Sequence, residues 1–153
     1  MRYFPESMAN YLATKLIAKK TEYPDVYQYP TDITDMIFVD FQPTDYQSYI
    51  SILNIGEEKI GGIWNVYRYT INAKIALKET ENVSMNVFSY LCKGIRDELR
   101  FMEDATIDEF GVCAIKIYPF TPSQIDIQSF TADIISEIEI DLATMPGEIL
   151  LLT

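Results

Sequence analysis

The stretch Ile63-Trp64-Asn65-Val66-Tyr67-Arg68-Tyr69-Thr70-Ile71-Asn72-Ala73-Lys74-Ile75-Ala76-Leu77-Lys78 decides the fold class. From Ile63 its odd positions are mostly apolar, running through Tyr67, Tyr69, Ile71, Ala73, Ile75 and Leu77. From Arg68 its even positions are wetter: Arg68, Thr70, Asn72, Lys74, Ala76 and Lys78. Successive side chains of a strand point to opposite faces, so this alternation predicts one long strand with a buried face and a solvated one. Trp64 and Arg68 share the even face, where they either cover the sheet's second side or anchor a contact with a neighbour.

Toward the N-terminus, Gly56-Glu57-Glu58-Lys59-Ile60-Gly61-Gly62 reads as a polar, glycine-punctuated hairpin loop. Tyr49 to Ile55 before it is an apolar strand. Ile33 to Phe41 is a further one, stopped by Pro43. Thr21 to Pro30 holds Pro24, Pro30, Tyr23, Tyr27 and Tyr29, a composition that predicts an extended surface arm. Ahead of the arm, Ser7 is the expected cap of a helix reaching about Lys20. Met8, Leu12 and Leu16 lie at helical spacing, and Lys15, Lys19 and Lys20 gather where the helix dipole favours cations.

Toward the C-terminus, Thr80-Glu81-Asn82 breaks the strand and the period changes. Phe88, Leu91, Ile95, Leu99 and Met102 advance by three or four, with Lys93, Arg96, Asp97 and Arg100 opposite, which predicts an amphipathic helix over Val83 to Met102. Gly94 inside it costs about 1 kcal/mol against Ala and so points to close packing. Gly111 to Tyr118 is a buried strand ended by Pro119. Phe130 to Leu142 alternates again, with Glu137, Glu139 and Asp141 on an acidic outer face. Residues 145–153 form an apolar tail in which Leu150 and Leu151 call for a partner.

The expected order is α-β-β-β-α-β-β in a single α+β domain over 1–153, a mainly antiparallel sheet of long strands with a β-hairpin and two helices packed on one face. At 153 residues and 48% hydrophobic content the chain is long and apolar enough for one core. Met1 to Ser7 lacks the apolar core of a signal peptide and no apolar run approaches the roughly 18 residues of a membrane span, so synthesis in the cytoplasm and no membrane partner are expected.

Chemistry is harder to find. Histidine is absent, which removes the commonest general base, the triads that need it and histidine-ligated metals. No GxxxxGK[ST] or GxGxxG occurs. Cys92 and Cys113 lie among apolar neighbours outside any CxxC arrangement and read as buried thiols. Adjacent carboxylates such as Glu57 and Glu58 diverge in a turn. The period-two row Glu137, Glu139 and Asp141 reads as a solvated strand face, or as a surface meeting the basic patch of an adjacent subunit. No catalytic residue, cofactor or metal is therefore expected. The net charge of −11 repels nucleic acid, so DNA would be at most a passing, non-adherent cargo. Eleven tyrosines, several outside periodic core positions, suit either turn packing or an interaction surface.

This element pattern resembles the tail terminator, or tail-completion, proteins of long-tailed bacteriophages. The residues that carry the likeness are Trp64-Asn65-Val66-Tyr67-Arg68-Tyr69 in a long strand and Ile115-Lys116-Ile117-Tyr118-Pro119-Phe120-Thr121-Pro122 before the last one. The resemblance implies a non-enzymatic virion protein assembled in the host cytoplasm. Such a protein closes into a hexameric ring on the tail tube protein, stops tube polymerisation and presents a face to the head-connector protein. The hairpin Gly56 to Gly62 with Glu57, Glu58 and Lys59, the Tyr23 to Pro30 segment and the tail are the expected contact regions. Another neck or minor capsid subunit, a ligand-binding module and an acidic DNA-mimic inhibitor remain open.

Overall fold

The computed structural model describes residues 3–43, 48–60, 66–78, 84–104, 110, 114–119, 125–126 and 129–141. Helix α1 spans Phe4–Glu22 and α2 spans Met85–Phe101. The strands are β1 Ile37–Val39, β2 Tyr49–Lys59, β3 Val66–Ala76, β4 Ala114–Ile117, β5 Ile125–Asp126 and β6 Thr131–Asp141. They form one sheet in the order β1-β2-β3-β6-β4, with the two-residue β5 also pairing with β6. All pairings are antiparallel except β1 with β2. The class is α+β, and its element order is the one that the hydrophobic periods predict.

The alternation along β3 becomes a division of faces. Tyr69, Ile71, Ala73 and Ile75 are buried on the inner face, facing α1 and α2, with Ile134, Ile138 and Ile140 beside them on β6. Phe4, Met8, Leu12 and Leu16 of α1 and Phe88, Leu91, Ile95 and Leu99 of α2 complete this core. Phe4 packs on the Tyr69 ring (5.4 Å between centroids) and Phe88 on Phe130 (5.8 Å), so both helices cover the same side of the sheet. The other face carries Glu58, Arg68, Thr70, Asn72, Lys74 and the odd residues of β6, and near the start of β2 the chain that follows β1 covers it, since Ser51 is buried there and donates to the Phe41 carbonyl at 2.8 Å.

Several boundaries differ from expectation. Helix α1 starts at Phe4, three residues ahead of Ser7, because Pro5 in the first turn needs no hydrogen-bond partner for a backbone N–H it lacks. Ser84, in contrast, caps α2 by accepting from the Val87 N–H (3.3 Å). Ile33 lies in a 3-10 turn, Thr31–Asp35, and the first strand shrinks to Ile37–Val39. Gly56 to Lys59 is not a loop. These residues continue β2 beyond a bulge between Asn54 and Gly56 and pair with Thr70 to Tyr67, so the strand period simply resumes after one inserted residue.

The segment after α1 is not a free arm. Tyr27 and Tyr29 are 9% and 1% exposed, and the Tyr29 hydroxyl donates to the Leu16 carbonyl while Lys20 donates to the Tyr29 carbonyl. Burial raises the Tyr29 phenol well above its ordinary range. Two tyrosines whose rings fill the gap between α1 and α2 cannot also serve as exposed contacts. Beneath them lies a buried ion pair, Lys19 Nζ to Glu98 Oε1 at 3.1 Å, with Tyr11 reaching the second carboxylate oxygen at 3.5 Å and Tyr27 under the ammonium at 5.2 Å. Gly94 faces this cluster, yet a β-carbon there would meet Lys19 and Tyr27 atoms at 3.6 Å, which is ordinary van der Waals contact and not the tight packing expected.

Candidate interaction surface

The sheet face opposite the helices and the free end of β2 hold some of the residues that the sequence singled out: Glu57, Glu58, Lys59, Arg68, Glu137, Glu139 and Asp141. Register sets Glu58 opposite Arg68, Arg68 opposite Glu139 and Glu139 opposite Lys116, so one row crosses β2, β3, β6 and β4 with alternating charge. Arg68 reaches Glu139 at 2.6 Å and Glu58 at 3.7 Å. Tyr118 donates its hydroxyl to the same Glu139 oxygen at 2.6 Å, and its ring lies 5.4 Å from the Arg68 guanidinium and 4.7 Å from the Lys116 ammonium. The Tyr118 hydroxyl and the Arg68 guanidinium together hold Glu139 below the usual carboxylate range. Six residues further along β3, Lys74 approaches Asp133 at 3.8 Å, and Asn72 donates to it at 3.1 Å. Cross-strand pairs of this kind stabilise a sheet by about 0.2–1 kcal/mol each and fix its register.

The edges differ from each other. In an antiparallel ladder alternate residues turn their N–H and C=O away from the partner strand. The Ile60 N–H bonds to the Val66 carbonyl (2.8 Å), so along β2 the residues directed away from β3 at this end are Glu57 and Lys59. Further back on the same edge, Ile50 donates to Met36, Asp40 donates to Ile52, and the Asn54 N–H is taken by the Asp40 carboxylate at 2.8 Å. Asp40 makes this contact with φ of 52°, a left-handed conformation that aspartate tolerates better than most residues, and its other oxygen accepts from Tyr3 at 2.6 Å. On the opposite edge the outward Ile117 N–H donates to Glu103 Oε1 at 2.7 Å, above a pocket of about 340 Å³ lined by Arg100, Glu103, Ile117, Tyr118 and Pro119. Among the described residues, only Glu57 and Lys59 present outward backbone groups on β2 with neither a strand nor a carboxylate against them.

The sequence-predicted residues therefore scatter. Glu57, Glu58 and Lys59 are exposed at the open end of β2, Arg68 and Glu139 meet in the charged row, Glu137 is exposed, and Asp141 is half-buried at the end of β6. Tyr23 is 52% exposed, with its ring edge on Tyr27 (6.3 Å). Trp64, Leu150, Leu151 and the tail lie outside the described residues. Sequence reasoning gave no role at this surface to Asp40, Lys116 or Tyr118, and it weighed Glu103 only as one of a pair of adjacent carboxylates. Tyr118 stands two residues after Lys116 and so shares its face, a signal that becomes usable once β4 is placed beside β6. Asp40 and Glu103 act on backbone amides, which leaves no side-chain pattern to read.

Among the described residues no three His, Cys, Asp or Glu side chains are grouped to hold a metal, and no helix is long and apolar enough to cross a membrane. No protein-family model matches the chain, and no curated protein matches it.

Proposed function

We propose that this chain is a structural subunit of a phage tail, closing into a hexameric ring at the end of the tail tube, stopping its polymerisation and meeting the head connector. The observation that supports this reading best is the sheet face opposite the helices. Glu58, Asp133, Glu137, Glu139 and Asp141 outnumber Arg68, Lys74 and Lys116 on it, and Arg68 and Lys74 are already engaged by carboxylates. A broad strand face of that sign suits the wall of a conduit, because it repels phosphate and lets DNA pass without adhering. Strands of eleven residues, roughly 36 Å long, also set Glu57, Glu58 and Lys59 exposed at the far end of β2, where a neighbour can reach them.

Light scattering coupled to size exclusion, followed by negative-stain imaging with and without isolated tail tubes, tests the reading. Rings of about six subunits, alone or seated on tube ends, are the expected result. A chain that neither forms rings nor binds tube ends overturns it, and competition with DNA for a nucleic-acid enzyme would move the inhibitor reading to the front.

A further inference from the structure

We infer that the open end of the β2 edge pairs with the same edge of a second copy of this chain, antiparallel and centred on Glu58. This pairing does not depend on the ring reading, since a two-fold contact closes on itself and a ring requires a different, head-to-tail surface. The argument starts from the backbone. At three other outward positions, Ile50, Asn54 and Ile117, the amides are bonded to Met36, Asp40 and Glu103, so strand addition at those points must displace an existing partner. At Glu57 and Lys59 the edge is unoccupied by any described strand or side chain, and the bulge leaves Ile55 56% exposed beside it. An unpaired row of N–H and C=O groups is a template for another strand.

The side chains then specify which strand. Glu57 and Lys59 lie on the same face of β2, paired opposite Tyr69 and Tyr67. In an antiparallel pair centred on Glu58, Glu57 of each copy stands directly opposite Lys59 of the other, in a position where both exchange backbone hydrogen bonds. Two opposite-charge pairs form from one self-complementary sequence. The two Glu58 side chains meet at the centre, where the Arg68 beside each of them at 3.7 Å offsets their repulsion. Gly56, without a side chain, leaves room for Ile60 of the other copy. Asp40, held at Asn54 by Tyr3, marks where the pairing must stop, so the contact is short and the association weak.

Sedimentation equilibrium up to about 1 mM protein at low salt measures this association. The wild-type chain is expected to dimerise. Glu57→Lys and Lys59→Glu each turn both cross-strand pairs into like-charge pairs and should weaken the dimer about tenfold or more, while the double variant Glu57→Lys/Lys59→Glu restores it. Lys59→Pro removes an N–H that β3 does not use, so it should abolish pairing and leave the circular dichroism spectrum of the monomer intact. A wild-type chain that stays monomeric throughout overturns the inference. So does a dimer indifferent to the single variants, or a double variant as weak as either single one, and neither result bears on the ring reading.

Discussion

Replacing Lys19 by Met removes one half of the ion pair buried between α1 and α2. The Lys19 and Glu98 side chains are 17% and 9% exposed, and at 3.1 Å with an effective dielectric of about 20 their attraction is roughly 5 kcal/mol before desolvation is subtracted. Burial pulls the Lys19 ammonium toward neutrality, but its contact with Glu98 outweighs this and leaves its pKa raised. In Lys19→Met the Glu98 carboxylate keeps only the Tyr11 hydroxyl at 3.5 Å. Removing one partner of a buried pair leaves an uncompensated charge, at a cost of about 3–5 kcal/mol, and the partial exposure of Lys19 sets this site at the lower end. The expected loss is therefore about 3–4 kcal/mol, a fall of roughly 1.5–2 M in the urea midpoint for a slope of about 2 kcal/mol/M. Urea unfolding at pH 7 measures this loss. The double variant Lys19→Met/Glu98→Leu should recover most of the loss, since an apolar pair of similar volume needs no compensation. A cost under about 1 kcal/mol at pH 7 refutes this account of the cluster.

Three further outcomes follow from the same geometry. Gly94→Ala should raise stability by about 0.5–1 kcal/mol in thermal unfolding, because the added methyl meets only ordinary contacts and the helix gains propensity; a loss would show that the cluster cannot give the space. Burial pushes the Cys92 thiol up to about 12, so in a Cys113→Ser background an alkylating reagent at pH 8 should leave the native chain unlabelled and modify it once unfolded. Glu139, with a lowered folded pKa, contributes stability that is present above its unfolded value and lost as pH falls through the folded one. Glu139→Gln should accordingly flatten the acid limb of stability below about pH 4.5, measured by denaturant titration at each pH.

How much of this was legible in the sequence depends on whether a residue acts through its period or through its partner. The strands β3 and β6 and helix α2 declare themselves because a sheet or helix buried on one side forces an unbroken alternation or stripe, and Tyr69 to Ile75 and Phe88 to Leu99 obey it. The continuation of β2 through Gly56 was hidden by the bulge, which inserts a residue and flips the apparent phase so that glycine and three charges look like a turn. Tyr27 and Tyr29 were misread for a different reason. Prolines at positions 24 and 30 prevent regular structure, and irregular chain is normally superficial, yet here two rings follow the backbone into the gap that the helices leave. The charged row required the register of four strands before Arg68, Glu139 and Lys116 could be seen as neighbours, and no single stretch of chain contains that information.

The place of β6 between β3 and β4 also governs how the molecule is made. Arg68 and Glu139, which touch across the middle of the sheet, stand 71 positions apart along the chain. During synthesis the β2–β3 hairpin and both helices leave the ribosome first, and the inner flank of β3 stays unzipped until Thr131 to Asp141 emerge. Closing loops of that length is slow compared with forming a hairpin, so the nascent chain spends its most vulnerable interval with an apolar strand edge bare. Cooperative closure then comes late and all at once, as a single strand inserts between two that precede it.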